Sequence, residues 1–387
     1  MRGGRGWATL AAAVGTHVVI GSVYAWSVYE PALRAHHGFS RLAAQATFGT
    51  TIACFALSML VAGRLLRTLG ARPLLRVAAV VYSGGYLLAA GLGANVTSTI
   101  LGIGVVAGAG IGIGYVSALT AAVTAAPERR GLVTGLVTGG FAAGSALTAP
   151  IVTSSLARGW SVPAAFAAQG ALGLVGLWLA SLWVGDRSAQ PVAATSAPEP
   201  RARRRFLAWS AGGLFGSSFA GLTVIGGLAS LAADSGGGPH LGAAMVVAFS
   251  LGNTLGRPLW GALFDRLDRI TAPIALGGLG LAILTLAPAP SRPAVLLAGS
   301  LAAGFCFAAG FVVYAANTVR RLGPASMARV YPLIFLAYGV AALLGPPIGG
   351  ALRDAAGSPV GALLTAAVAA LTTGAALFLT RQAGGSP

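Results

Sequence analysis

The 387 residues carry 56% hydrophobic side chains, only 9% charged ones and a formal net charge of +17, far from the roughly 25% charged composition of water-soluble domains. A soluble enzyme is excluded, and so is nucleic-acid binding, because every basic residue is arginine and the arginines lie between long apolar runs. The two cysteines, Cys54 and Cys306, each fall inside such a run, which gives neither a disulfide framework nor metal-ligand spacing, so no metal and no cofactor are expected.

The N-terminus imitates a signal peptide only briefly, since Arg2 and Arg5 precede an apolar run from Trp7 that is too long for one. A helix of roughly 20 apolar residues crosses a hydrocarbon core of about 30 Å. Runs of that length fall at 7–33, 42–63, 74–94, 99–124, 131–155 and 162–184. Residues 186–205 then turn to Pro, Ser, Ala and Arg, ending on Arg201, Arg203, Arg204 and Arg205, which reads as a solvated linker. Six further runs occupy 206–232, 241–264, 271–289, 293–317, 330–352 and 359–380. The expected fold is an all-α membrane protein of twelve transmembrane helices in two pseudo-symmetric six-helix bundles, 1–185 and 206–387, joined by a cytoplasmic linker at 186–205. The expected partners are the lipid bilayer and a small solute, and a monomer is expected.

Arginine placement orients the chain. With the N-terminus inside, the inner set holds Arg2, Arg5, Arg64, Arg67, Arg72, Arg76, Arg129, Arg130, five linker arginines, Arg266, Arg269, Arg320, Arg321, Arg329 and Arg381. The outer set holds only Arg34, Arg41, Arg158, Arg292 and Arg353, so both termini are placed in the cytoplasm. The all-arginine, Ala- and Gly-rich composition suits a bacterium, and hence its inner membrane. One arginine, Arg257, belongs to neither set because it lies within the eighth span.

Corresponding loops repeat across the halves. "GRLLRTLGAR" from Gly63 is echoed by "GALFDRLDR" from Gly261, Arg129-Arg130 by Arg320-Arg321, and Pro150 by Pro346. Duplicated halves of this kind characterise carriers with a central cavity. The glycines of "GIGVVAGAGIGIGY" from Gly102 follow no strand, so they read as helix-packing residues and not as a dinucleotide site. "GGFAAGSALTAP" and "GPPIGG" are read the same way, as small-residue surfaces where the halves rock.

These loops resemble the G-x-x-x-D-R-x-G-R loop of the major facilitator superfamily, which implies a cytoplasmic latch at Gly261, Asp265, Arg266 and Arg269. The second copy has Asp268 at the glycine position, and the first has Arg67 in place of the acid. Within the superfamily the chain is similar to the oxalate/formate antiporter family, near the monocarboxylate transporters. "GSVYAWSVYEP" from Gly21, "GAGIGIGY" from Gly108, "PERRGLVTG" from Pro127, "AGLTVIG" from Ala220, "NTLGRPLWG" from Asn253 and "YPLIFLAYGVAALLGPPIGG" from Tyr331 carry that likeness.

A cation at a helix centre costs at least about 2.5 to 3.5 kcal/mol, and no Asp or Glu lies well inside any span, since Glu30 and Asp234 stand at segment ends. Arg257 therefore either snorkels toward the cytoplasmic end, about 12 Å away at Asp265, or awaits an anionic ligand. The resemblance implies the second, with the guanidinium binding a substrate carboxylate bidentately. Asn253, one turn earlier on the same face, would contact substrate without cancelling that charge; monocarboxylate transporters often carry an acid there. By the same resemblance Tyr24, Tyr115, Phe307 and Phe311 line the cavity, although each also reads as ordinary packing. Tyr338 occupies the family's lysine position, which leaves one fixed cation and implies a monocarboxylate in place of oxalate. Trp26 reads as structural. His17, roughly on the face of Tyr24, is either a proton carrier or a neutral packing histidine, so protons join the small carboxylate among the expected partners.

The functional expectation is a secondary active transporter of a small organic anion, working by alternating access with anion exchange or proton-coupled symport. A drug exporter is the alternative. A membrane enzyme is a remote one, for which the sequence offers no nucleophile with a base and no metal cluster.

Overall fold

The structure is a computed structural model that describes residues 4–185, 200–287, 292–322 and 327–382. Among them there are helices and turns and no strand, as the long uninterrupted apolar runs require when every backbone N–H and C=O must be satisfied inside lipid. The first crossing is α1 (Gly4–Gly21) and a tighter 3-10 continuation, Ser22–Val28, followed by the short helix α2 (Glu30–His36). Then come α3 (Arg41–Leu69) and α4 (Ala71–Gly91), and a fourth crossing built of α5 (Val96–Thr99), a π-helical stretch Ile100–Ala107 and α6 (Gly108–Ala125). The half ends with α7 (Arg130–Ala157) and α8 (Val162–Trp183).

The second half consists of α9 (Pro200–Asp234), α10 (Pro239–Leu267), α11 (Thr271–Leu286), α12 (Pro293–Leu322), α13 (Met327–Ala356) and α14 (Val360–Gln382). By apolar length α10 and α11 form one stretch, Pro239–Leu286, too long for a single crossing. Asp268, at φ 49°, and the 3-10 turn Asp268–Ile270 break it in two, so the described residues hold twelve crossings.

Two boundaries differ from expectation. Residues 186–199 of the expected linker lie outside the described residues, while 200–205 are the first turns of α9. Proline fits the first turn of a helix and arginine is a good helix former, so the arginine run extends the seventh crossing instead of ending a loop. The first span, expected to run evenly to residue 33, tightens after Gly21 and breaks at Tyr29. A side chain on Gly21 would collide with the Phe141 carbonyl of α7, so the backbones touch there.

Leu172, Val175, Leu179 and Leu182 on α8 and Leu364, Val368 and Leu379 on α14 are exposed, an apolar outer face that only lipid accommodates without cost. The halves meet along α3 with α13 and α7 with α10. A side chain on Gly49 of α3 would strike the Ala342 carbonyl, and one on Gly350 would lie 2.8 Å from the Arg41 carbonyl. The two small-residue surfaces therefore divide their work. "GPPIGG" reaches across to α3 through Gly350, whereas Gly140 and Gly144 of "GGFAAG" fit against α1 within their own half.

Candidate functional site

Arg257 lies on α10 between the halves and is 5% exposed. Its guanidinium lies 5.0 Å from the centre of the Phe311 ring, a cation–π contact, and it interacts with the Tyr115 hydroxyl. It makes no ion pair among the described residues. A side chain so enclosed does not snorkel to the surface, so that reading is set aside.

Aromatic side chains from the 3-10 segment Ser22–Val28, α6, α12 and α13 gather around it. Phe311 packs edge-on against Phe307 at 5.1 Å and against Tyr338 at 5.4 Å, and Phe307 lies 6.3 Å from Tyr24. The Tyr24 and Tyr338 hydroxyls are 2.7 Å apart, a hydrogen bond that crosses from one half to the other. The 3-10 segment carries Tyr24 into this position, while Pro332 and Pro346 sit inside α13 on either side of Tyr338. The expected residues Arg257, Tyr24, Tyr115, Phe307, Phe311 and Tyr338 thus form one contiguous box.

Asn253 stands one turn from Arg257 and is fully buried, and neither its amide nitrogen nor its amide oxygen has a partner. A buried amide left unpaired on both atoms costs a few kcal/mol relative to one that is satisfied. The site therefore combines one bare cation, one idle donor and acceptor, and apolar rings that exclude water, an arrangement suited to a small anion with a polar group.

His17 packs 4.6 Å from Tyr115. Its Nδ1 lies 3.0 Å from the Ala13 carbonyl, which can only accept, so Nδ1 carries the proton and Nε2 is the atom that could take up another. Nε2 is buried and has no partner. Sequence reasoning missed Phe55, Phe141 and Phe335, which complete the box: Phe55 lies 5.3 Å from Tyr115 and 6.1 Å from Tyr338, Phe141 5.4 Å from Tyr24, and Phe335 5.0 Å from Tyr338. Lone phenylalanines in apolar runs carry no signal that separates them from packing residues.

The end carrying the chain termini holds the expected latch in altered form. Asp265 lies 3.5 Å from Arg320, but Asp268 makes closer pairs, 3.1 Å to Arg320 and 3.3 Å to Arg321. These contacts tie α10 to α12. A side chain added at Gly261 would lie 3.5 Å from Val312, an ordinary contact, and Arg266 is exposed. In the first half, where the motif's acid is replaced by Arg67, Arg72 donates to the Val184 carbonyl and Arg76 to the Ser181 hydroxyl, so hydrogen bonds tie α4 to the end of α8.

At the opposite end the halves are joined by charge. Arg41 of α3 pairs with Asp234 of α9 at 2.8 Å, and Arg353 of α13 reaches the same carboxylate at 2.6 Å. Asp354 accepts from the backbone N–H groups of Arg41 and Leu42, capping the first turn of α3 from the other half. Beneath these, Gln45 donates to Glu30 and to the Gly226 carbonyl, both at 2.6 Å, and Ser230 donates to Glu30 at 2.6 Å.

The sequence pattern of the Major Facilitator Superfamily matches residues 12–228 and 208–387. The chain is 26% identical over 351 residues to an uncharacterized MFS-type transporter, YhjX, of Escherichia coli strain K12, covering 87% of this chain and 86% of that one. It is 25% identical to the oxalate:formate antiporter of Oxalobacter formigenes, over 98% and 93% of the two chains, and 30% identical to human monocarboxylate transporter 11, over 74% and 64%. In three dimensions it superposes on a point mutant of the nucleoside transporter NupG with a TM-score of 0.78 at 13% identity, over 96% of this chain and 99% of that one, a likeness of fold.

Proposed function

The chain belongs to the Major Facilitator Superfamily, so it is a multi-pass membrane transporter of small solutes and not an enzyme, and on that premise we propose that its cargo is a small monocarboxylate held by Arg257. The observation that carries this reading is a guanidinium enclosed between the halves that has no acidic partner among the described residues. A carboxylate matches its planar fork of donors and supplies the missing charge. The names of two relatives, an oxalate:formate antiporter and a monocarboxylate transporter, lean the same way.

Monovalence follows from the count of fixed cations. Tyr338 brings a hydroxyl, already bonded to Tyr24, to the position where the resembling family has a lysine. One arginine balances one carboxylate, and Asn253 then bonds a neutral oxygen of the same molecule. Because the empty site keeps a net positive charge, reorientation without cargo is costly. That favours exchange of one anion for another, or entry of the anion with a proton on His17 Nε2. A drug exporter, with a broad apolar cargo, has no use for a bare buried guanidinium beside an unpaired amide.

The remaining parts of the reading are the bundles 1–185 and 206–387 moving about the box, termini in the cytoplasm of a bacterium, residence in its inner membrane and a monomeric carrier. The ion pairs of α10 with α12, through Asp265, Asp268 and Arg320, act as the latch on the cytoplasmic side.

The test is uptake of labelled lactate, pyruvate, formate and oxalate into proteoliposomes, preloaded and empty, alongside dye efflux. Monocarboxylate uptake faster in preloaded vesicles, and lost with Arg257→Gln, is expected. Strong inhibition by oxalate but not by monocarboxylates would overturn the monovalent assignment, and dye efflux without carboxylate uptake would overturn the class.

A further inference from the structure

Glu30 has no role in the anion site, yet it is fully buried at the seam between the halves. Its two carboxyl oxygens are divided between the halves: Oε2 accepts from Gln45 of α3, and Oε1 accepts from Ser230 of α9. Gln45 also holds the Gly226 carbonyl of α9, so the carboxyl sits inside a bridge that exists only while this end is closed. A narrow cavity beside it is lined by Arg41, Gln45, Thr223, Gly227 and Arg353.

Among the described residues no cation pairs with the carboxyl directly. Arg353 of α13 is engaged by Asp234 and the Gly227 carbonyl, and Arg41 of α3 by Asp234. Arg34 belongs to the same short helix as Glu30, Asp234 lies at the end of α9, Asp354 near the end of α13, and the neutral Tyr29 precedes Glu30. Asp234 and Asp354 offset two of these three arginines, and the hydrogen bonds that Glu30 itself receives come from two neutral donors. An ionised carboxylate in such a place is costly unless it takes up a proton. The bridge tolerates that proton, because the Ser230 hydroxyl, which donates to the carboxylate, can also accept.

We propose that Glu30 is a proton-binding site that controls closure of the transporter at the end opposite its termini, protonated when that end is shut and ionised when it opens to water. Burial pushes this carboxyl above its ordinary range, while Arg353, Arg34 and the Ser230 and Gln45 bonds pull it partly back. The linkage sign follows. Because the closed form binds the proton more tightly than the open form, closure is favoured as pH falls and lost as pH rises through the closed-state value. Between the open and closed values the closed-to-open ratio changes by up to about tenfold per pH unit. The Glu30 proton is a sensor of one side and not the cargo's companion, since the closed bridge offers it no route across. The inference requires only the alternating transporter and is independent of what Arg257 carries.

The experiment is distance measurement by double electron–electron resonance on substrate-free protein in nanodiscs, with spin labels at exposed Ala35 and Ala356 on a background lacking Cys54 and Cys306. Over a pH series from about 4 to 9, bracketing the ordinary and raised carboxyl ranges, the native chain should move from the short-distance to the long-distance population. Glu30→Gln, a permanent mimic of the protonated form, should stay short at every pH. Ser230→Ala, which removes a donor favouring the ionised form, should move the midpoint to higher pH and tests the site even where Glu30→Gln folds poorly. A native distribution that ignores pH, or a pH response that survives in Glu30→Gln, would overturn the proposal and assign the response to exposed groups such as His36 or His240.

Discussion

Arg257 and Arg353 are buried almost equally, 5% and 6% exposed, yet they live in opposite electrostatic worlds. Arg353 donates to the Asp234 carboxylate at 2.6 Å and to the Gly227 carbonyl, and Arg41 shares the same acid. Arg257 has a phenylalanine face, a tyrosine hydroxyl and no carboxylate. Burial alone therefore says little about what a buried charge is for. A guanidinium that the protein neutralises itself holds two helices together, whereas one left bare holds a place for a molecule that is not part of the chain.

Substitution should separate the two arginines most sharply through what each change does to stability and to binding. Arg257→Gln removes the guanidinium of the box, and a charge-assisted bond of roughly 1.5 to 3 kcal/mol corresponds to a loss of affinity on the order of 10- to 100-fold. The ligand-free protein should melt no lower than the native one, because an uncompensated buried charge has gone, while the rise in melting temperature with monocarboxylates disappears. Thermal shift with and without lactate reads both. Asp234→Asn should do the reverse. It strips the partner from two arginines and costs on the order of 2 kcal/mol, discounted from the fully buried case because the acid is 20% exposed. Melting temperature should fall while the carboxylate-induced shift survives. If Arg257→Gln melted lower and Asp234→Asn abolished the ligand response, the contrast between the two arginines would be wrong.

A smaller effect tests the contact between these regions. The Tyr24–Tyr338 hydrogen bond closes the box across the halves at 2.7 Å. Tyr338→Phe removes one hydroxyl from a buried pair and leaves the other without its partner, a loss of about 1 kcal/mol. Exchange should quicken or slow by roughly fivefold as the halves part more easily or position cargo less well, with binding of monocarboxylates weakened less than by Arg257→Gln. Initial rates of exchange in proteoliposomes measure it, and a rate unchanged from the native protein would remove the bond from the working cycle.

The twelve crossings are legible in the sequence because hydrophobic length is a property of composition alone. Arg257 is legible because a lone charge inside an apolar run stands out without any structure. Asn253, Tyr24, Tyr115, Phe307, Phe311 and Tyr338 converge on it in space, an expectation that rests on resemblance as well as on helical spacing. Glu30 is hidden for a local reason. In sequence it stands at the end of a straight span and reads as an interfacial residue, whereas after the 3-10 tightening that follows Gly21 the carboxyl is buried between Gln45 of α3 and Ser230 of α9. Phe55, Phe141 and Phe335 are hidden because an apolar run conceals which of its rings faces a cavity. The arginines of the expected linker are hidden by the opposite bias, since a polar stretch that starts at proline can be helix as easily as loop.

The termini end offers a third arginine setting and the smallest expected change. Arg320 is 40% exposed and pairs with Asp268, which occupies the glycine position of the loop motif and adopts φ 49°. Although it departs from the motif, Asp268 makes closer pairs than Asp265, the acid at the motif's own position. Asp268→Gly would lose two exposed ion pairs, each worth roughly 0 to 1 kcal/mol, and relieve a left-handed backbone that costs a non-glycine residue roughly 1 kcal/mol. The two contributions oppose each other, so melting temperature should change little. Salt should uncover the pairs: adding sodium chloride should narrow the remaining difference between Asp268→Gly and the native protein, because exposed pairs are screened within about 10 Å at 0.1 M. The Arg353–Asp234 pair, enclosed between the halves, should respond far less, and an equal salt dependence at both sites would mean that the charges joining the halves are no better protected from water than those on a loop.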